Sequence, residues 1–176
     1  MNPLARRETA RLVLTRITGA DFDDLHSLHA NAQVMATLGG MRSQQETRRV
    51  LDALAGHWDD HGFGYWMARD RAGGRFAGRG GLRRVELEGR LEVEIGYAFM
   101  PEFWGRGLAT ELARESARVA FEHLAVAELV SFTLSNNRAS RRVMEKVGFR
   151  HVGNTLWKNY PHVLYRLPAA VWRAQH

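Results

Sequence analysis

The stretch that most constrains the fold is a strand, a glycine-containing turn and a helix in direct succession. "LEVEIGYAFM" (Leu91–Met100) reads as a strand, and "PEFWGRGLATEL" (Pro101–Leu112) places two glycines around Arg106. A helix is predicted from about Gly107 to His123, and another strand at Leu129–Ser135. A strand–helix–strand unit of this kind predicts a right-handed parallel crossover. The predicted inward stripe of the helix is mostly alanine, which lets it lie close to a sheet; it comprises Ala109, Leu112, Ala113, Ala117, Ala120 and Leu124.

The remaining predicted elements are mostly strands with short connections, which favour antiparallel pairing. Two helices are predicted after the first strand, the second behind a capping box at Ser43–Glu46. A third, Asn137–Val147, ends at Gly148. The sequence predicts one α/β (α+β) domain over residues 1–176, with a mixed, mostly antiparallel sheet of about seven strands flanked by helices. The other predicted strands are Arg11–Thr18, Gly62–Asp70, Arg75–Glu88, Phe149–Trp157 and His162–Pro168.

Composition excludes several classes of function. The chain has no cysteine, which rules out a disulfide scaffold and a cysteine nucleophile. No run of about 18 apolar residues occurs, so we expect a cytoplasmic protein with no membrane partner. The formal net charge is +6, and nearly all of the positively charged side chains are arginines. These arginines are scattered, which argues against nucleic acid as a partner but is compatible with an anionic small ligand. His57 and His61 have helical spacing, yet without a nearby glutamate motif we predict surface histidines and no metal.

The turn at Gly105–Gly107 has two interpretations. A helix start leaves about four backbone N–H groups without intrahelical partners, and glycines there let a phosphate approach them. Arg106 would add a cation. A plain turn at a helix start explains the same residues, and the chain has neither a Walker-type loop nor a dinucleotide fingerprint.

Two motifs together resemble the GNAT superfamily of acyl-CoA-dependent N-acyltransferases. They are "GYAFMPEFWGRGLATEL" and, after a helix and a strand, "SNNRASRRVMEKVGFR". The chain is most similar to the branch that includes the ribosomal-protein N-terminal (RimJ/RimL-like) acetyltransferases, and the resemblance covers nearly all of it. It implies a splayed pair of central strands, acetyl-CoA as a cosubstrate without a metal, and direct transfer of the acetyl group to an amine.

The resemblance also implies the cofactor-binding residues. The pyrophosphate would lie on the turn that begins at Trp104, and the pantetheine arm would run beside the strand Val93–Phe99. The implied residues are Ile95, Tyr97, Trp104, Gly105, Arg106, Gly107, Leu108, Ala109, Thr110, Asn137 and Ser140.

Glu94 and Ser140 are the candidate catalytic residues. Glu94 would accept the amine proton, with small Gly96 and Ala98 on its face leaving room for cofactor or water. The alternative is a solvent-facing strand carboxylate paired across to an arginine. Ser140 would hydrogen-bond the leaving thiolate; the alternative is a capping role beside Asn137. A backbone N–H near Ile95 is implied as the oxyanion donor.

Two positions depart from the family pattern. Met144 occupies the place where many members carry a tyrosine acid. Glu102 is an anion near the proposed phosphate site, so we expect it to point outwards.

The leading hypothesis is therefore an N-acetyltransferase acting on a primary amine, either a protein N-terminal α-amine or a small molecule. The alternative is a catalytically silent acyl-CoA-binding module on the same fold. Asn31–Ser43 and Asn154–His162 are expected to shape the acceptor site, and their few charges point to no particular acceptor. The sequence leaves open a homodimer and the assignment of acid and base.

Overall fold

A computed structural model describes residues 2–175 as one sheet with helices packed on it. Six helices lie at α1 (Phe22–His29), α2 (Ala32–Met35), α3 (Gln44–His61), α4 (Leu108–Arg118), α5 (Arg138–Val147) and α6 (Ala169–Gln175). Eight strands lie at β1 (Arg6–Glu8), β2 (Leu12–Arg16), β3 (Tyr65–Asp70), β4 (Phe76–Leu87), β5 (Arg90–Phe99), β6 (Glu128–Thr133), β7 (Arg150–Trp157) and β8 (Tyr160–Pro168).

The strand order confirms a mixed, mostly antiparallel sheet. It runs β1-β2-β3-β4-β5-β6-β8-β7, and β5 and β6 are its one parallel pair within the described residues. Helix α4 connects these two strands, as the predicted crossover requires. There are eight strands rather than about seven, because β1 is a three-residue segment, "RRE", with no apolar alternation to reveal it. It is held by antiparallel pairing with β2.

The parallel pair is splayed. β5 and β6 share one register pair, Glu94↔Val130. At the next residue the Ser131 hydroxyl donates a hydrogen bond to the Ile95 carbonyl over 2.9 Å. Because a side chain takes the place of a backbone partner there, the ladder ends and the two strands can part.

Helix α4 packs its small residues on the sheet, as its alanine stripe predicts. Leu112, Ala113, Ala117 and Ala120 are buried. Full burial of a leucine such as Leu112 contributes about 1.5–3 kcal/mol relative to leaving it exposed. The helix is α-helical only to Arg118 and continues as a π-helical turn over Val119–His123.

The predicted helix ends are confirmed. The Ser43 hydroxyl accepts the Glu46 N–H over 3.2 Å, and the Glu46 carboxylate accepts the Ser43 N–H over 2.7 Å. Helix α5 ends at Gly148. Two short helices, α2 and α6, are absent from the sequence prediction, since four and seven residues give little periodicity to recognise. Within residues 2–175, no helix is long and apolar enough to cross a bilayer.

Candidate active site

A cavity of about 510 Å³ opens beside the end of β5. The glycine turn, the first turn of α4, one face of α5 and the α2 segment surround it. Most of the predicted cofactor-binding residues line it together: Tyr97, Trp104, Gly105, Gly107, Leu108, Ala109, Thr110, Asn137 and Ser140.

Two predicted cofactor-binding residues lie outside this lining. Ile95 is almost fully buried below the cavity, with its carbonyl held by Ser131. Arg106 is exposed and its guanidinium lies 5.4 Å from the ring centre of Phe103. The side chains of Ile95 and Arg106 therefore do not line the cavity.

The backbone explains why the turn contains two glycines. Gly105 has φ +72° and Gly107 has φ +76°, a left-handed conformation that side chains disfavour. Gly107 is the N-cap of α4 and has no side chain to accept the first N–H groups of the helix. Both glycines therefore meet the backbone requirement of a turn, and the first turn of α4, which has no side-chain cap, lines the cavity.

Arg11, which lies near the start of the chain, binds the backbone of this turn. Its guanidinium donates to the Arg106 carbonyl over 2.7 Å and forms an ion pair with Glu111 at 2.7 Å. Burial acts to raise the pKa of Glu111, but hydrogen bonds from Thr9 and Arg11 outweigh it and lower that pKa. Arg11 and Glu111 are 100 residues apart, so no local pattern in the sequence points to the contact.

Helix α5 supplies positive charge that the sequence analysis missed. Ala139, Arg142, Val143 and Lys146 all line the cavity. Their i, i+3, i+4, i+7 spacing places them on one helical face, which is a signal available in the sequence. Arg142 and Lys146 are exposed, so both can meet an anion at the cavity mouth.

Ser140 and Tyr97 bring two hydroxyls together in the cavity. Their oxygens lie 3.1 Å apart, and the Tyr97 hydroxyl is also 3.1 Å from the Ser140 carbonyl. Burial raises the pKa of Tyr97, so its hydroxyl stays protonated at neutral pH and can donate a hydrogen bond. Asn137 Oδ1 accepts the Ser140 N–H over 3.2 Å, which is the capping contact considered above. Met144, where a tyrosine acid is common in the family, is buried in the core.

Glu94 is buried and paired. Only 4% of it is exposed, and its carboxylate forms an ion pair with Arg83 on β4. Burial alone would lower the pKa of Arg83, but Glu94 and Tyr65 oppose this and the pKa is raised. The expected room over Gly96 is not free: a Cβ built there would lie 1.8 Å from the Tyr65 hydroxyl. Glu94 is thus an arginine-paired carboxylate, as its alternative interpretation has it, but an interior one.

The other sequence predictions concern residues away from the cavity. Glu102 is exposed and does not line it. His57 is partly buried rather than a surface residue, because both ring nitrogens are used. Its Nδ1 lies 2.8 Å from the Phe63 carbonyl, and its Nε2 accepts the Arg84 N–H over 2.9 Å. Within residues 2–175, no group of three or more His, Cys, Asp or Glu side chains is placed to hold a metal ion.

Comparison with known proteins gives the same architecture. The chain is 30% identical over 167 residues to the protein YkkB of Bacillus subtilis (strain 168), covering 94% of this chain and 96% of that one. It is 39% identical over 105 residues to the FsC-acetyl coenzyme A-N(2)-transacetylase of Aspergillus fumigatus, covering 56% of this chain and 43% of that one. The crystal structure of an acetyltransferase from Agrobacterium tumefaciens str. C58 superposes with a TM-score of 0.81 at 26% identity, covering 92% and 93% of the two chains.

The family profile matches most of the chain. The profile described as "Acetyltransferase (GNAT) domain" covers residues 11–150, which include Arg11, the glycine turn, Ser140 and all of α5. The chain therefore belongs to the GNAT acetyltransferase family.

Proposed function

We propose that this protein is a cytoplasmic, acetyl-CoA-dependent N-acetyltransferase that transfers an acetyl group directly to a primary amine. The observation that carries the proposal is the meeting of three features in one cavity. These are the uncapped start of α4, the free edge of β5 at Tyr97, and the paired hydroxyls of Tyr97 and Ser140. The name of the Aspergillus relative, which includes acetyl coenzyme A, supports it.

The residues present fit a thioester carrying a pyrophosphate. The N–H groups at the start of α4 and the helix dipole favour an anion, and Arg142 and Lys146 add charge at the mouth. Every second residue of β5 points its backbone N–H and C=O groups towards β6, and Ile95, Tyr97 and Phe99 belong to this set. On that edge the carbonyls of Ile95 and Phe99 are taken by Ser131 and Trp104. Tyr97 lies between them, and its backbone groups would hold the pantetheine arm.

The chain's own groups account for the proton movements. Bound acetyl-CoA would supply an activated acetyl group that the amine attacks without an acyl-enzyme. Glu94 would take the amine proton through water, because its carboxylate is buried and held by Arg83. A backbone N–H on the β5 edge near Ile95 would stabilise charge on the carbonyl oxygen. The hydroxyls of Ser140 and Tyr97 would hydrogen-bond the departing thiolate.

The proposed acceptor is a protein N-terminal α-amine or a small-molecule amine. The test is a thiol-release assay with acetyl-CoA over N-terminal peptides, polyamines, amino acids and aminoglycosides. We expect turnover with at least one class. CoA binding without turnover of any class would contradict the enzyme proposal and indicate a silent acyl-CoA-binding module instead.

A further inference from the structure

The face of the sheet that carries Glu94 has more positive charge from arginines than the carboxylates around it neutralise. Side chains alternate along a strand, and the register Arg79↔Ala98 and Arg83↔Glu94 puts both arginines on the face that carries Glu94. Arg42, which precedes α3, is close enough to Arg79 and Arg83 for their charges to interact. These three residues, Arg42, Arg79 and Arg83, are called the arginine cluster below.

Among the described residues, Arg83 is the one member of the arginine cluster with a carboxylate partner, which is Glu94. Arg42 and Arg79 form no ion pair within residues 2–175, and Arg79 Nε is buried without a hydrogen-bond partner there. Glu46 is the other carboxylate near Arg42. It is exposed and already accepts hydrogen bonds at the N-terminus of α3, at 2.7 and 2.9 Å.

This arrangement is electrostatically unfavourable as it stands. Burial lowers the pKa of Arg79; Tyr65 and, more weakly, Glu94 oppose this, while Arg83 and Arg42 lower it further. Burial also lowers the pKa of Arg42, against Glu46, and Arg83 adds to the lowering. Cations gathered in a partly buried place are stable when an anion joins them. The arginine cluster therefore has the positive charge of an anion site, and Arg79 Nε is a donor without a partner within residues 2–175.

The arginine cluster lies next to one wall residue of the cavity, although none of its three side chains lines that cavity. Ala98, directly across from Arg79, lines that cavity. The Arg79 guanidinium lies 5.1 Å from the ring centre of Tyr65. On the other side, the Arg83 guanidinium lies 5.1 Å from the ring of Trp157, within the segment expected to shape the acceptor site. An anion bound here would belong to the molecule that approaches Glu94.

We propose that the acceptor amine belongs to a molecule that also carries a carboxylate, and that Arg79 and Arg42 bind this carboxylate. The inference rests on the proposed N-acetyltransferase function, because it assigns the acceptor class of the same site. A guanidinium binds a carboxylate through two parallel hydrogen bonds, which fixes its orientation as well as its position. Polyamines, which carry only cations, are disfavoured by the same residues. The acceptors are thus amino acids or short peptides rather than polyamines.

The test compares amines that differ only in the carboxylate. Thiol release is measured for α-amino acids, their C-terminal amides and the decarboxylated amines, at equal concentrations of unprotonated amine. We expect kcat/KM to be at least about 10-fold higher for the acids, as charged hydrogen bonds of this kind imply. Arg79→Met should lower kcat/KM for the acids roughly 10- to 100-fold and hardly change that for the amides. The KM for acetyl-CoA should be unchanged, and the exposed Arg90→Met is the matched control.

A binding measurement separates this inference from the proposed function and needs no variant. N-acetyl amino acids and their amides are titrated by calorimetry into the wild-type protein saturated with CoA. Preferential binding of the acids without turnover of any amine would support the carboxylate site and overturn the enzyme proposal. Amides turned over as well as acids would overturn the inference and leave the enzyme proposal standing. No turnover and no preference would overturn both.

Discussion

At the residue scale, Ser140 makes one contact through its backbone N–H and another through its hydroxyl. Its N–H donates a hydrogen bond to the side chain of Asn137, the N-cap of α5. Its hydroxyl lies beside the Tyr97 hydroxyl in the cavity. The "NRAS" pattern is enough to predict that Asn137 lies at the helix start and Ser140 one turn later, because a helix cap is formed by residues close together in the sequence. The Tyr97 hydroxyl could not be predicted in this role, since it lies 43 residues away along the chain. Only the packing of α5 against α4 and β6 brings the two together.

Removing either hydroxyl should slow turnover without loosening the cofactor. We expect Ser140→Ala and Tyr97→Phe each to lower kcat roughly 10- to 100-fold, because the thiolate loses a hydrogen-bond donor. The affinity for CoA should stay within about 3-fold of wild type. Because the two groups contact each other, the double variant should lose less than the product of the single losses. Steady-state kinetics and calorimetry measure both quantities.

The exposed Ser135→Ala is the matched control for these variants and should keep wild-type kcat. Unchanged kcat in both Ser140→Ala and Tyr97→Phe would contradict the assignment of the hydroxyl pair to the thiolate.

At the scale of elements, the turn before α4 combines a backbone requirement with a charge requirement. Gly105 and Gly107 need left-handed φ angles, and Arg11 fixes the carbonyl between them. The sequence predicts the glycine turn and the helix after it, because the change from strand to helix periodicity occurs among neighbouring residues. It does not predict Arg11, whose contact depends on the sheet bringing the segment between β1 and β2 to the start of α4.

Gly107→Asp should abolish CoA binding while the fold survives. Aspartate tolerates left-handed φ better than most residues, and only Arg11 Nη2, at 3.5 Å, lies near a Cβ at this position. The new carboxylate would repel the pyrophosphate and draw the Arg11 guanidinium towards itself. We expect CoA affinity to fall roughly 100-fold or more, a loss of about 3 kcal/mol. Calorimetry measures the affinity, and circular dichroism follows the fold.

Gly89→Asp is the control for this change, because Gly89 has φ +76° with nothing within 4 Å of its Cβ position, in the turn between β4 and β5. Its conformational cost should match, while CoA affinity stays at the wild-type value. Equal affinities in the two variants would show that the turn at Gly107 does not hold the phosphate.

At the scale of the whole molecule, the sheet and its flanking helices bury a histidine among arginines. His29 on α1 is fully buried, and burial lowers its pKa to about 3, with Arg79, Arg42 and His26 lowering it further. Its Nδ1 lies 3.1 Å from the Thr47 hydroxyl. The sequence places His29 on the apolar stripe of α1 but cannot reveal the charges around it, which come from β4 and the segment before α3.

This burial makes stability depend on pH. The unfolded chain binds a proton at His29 near its ordinary pKa of 6.5, whereas the folded protein does not until about 3. Stability is therefore lost as pH falls below about 6.5, because the unfolded state then binds more protons. Between about pH 7.5 and pH 5.5 the contribution of this residue is a loss of about 1.4 kcal/mol. Urea unfolding at both pH values measures it.

His29→Gln should reduce that pH-dependent loss by about 1.4 kcal/mol, whatever its effect on stability at pH 7.5. The comparison between pH values removes the cost of the substitution itself, since an altered packing contact acts equally at both. His123→Gln, at an exposed position, should keep the full wild-type loss. If His29→Gln loses as much stability on acidification as wild type, His29 takes up a proton in the folded state. That outcome would contradict the lowering of the His29 pKa by burial and by the arginines around it.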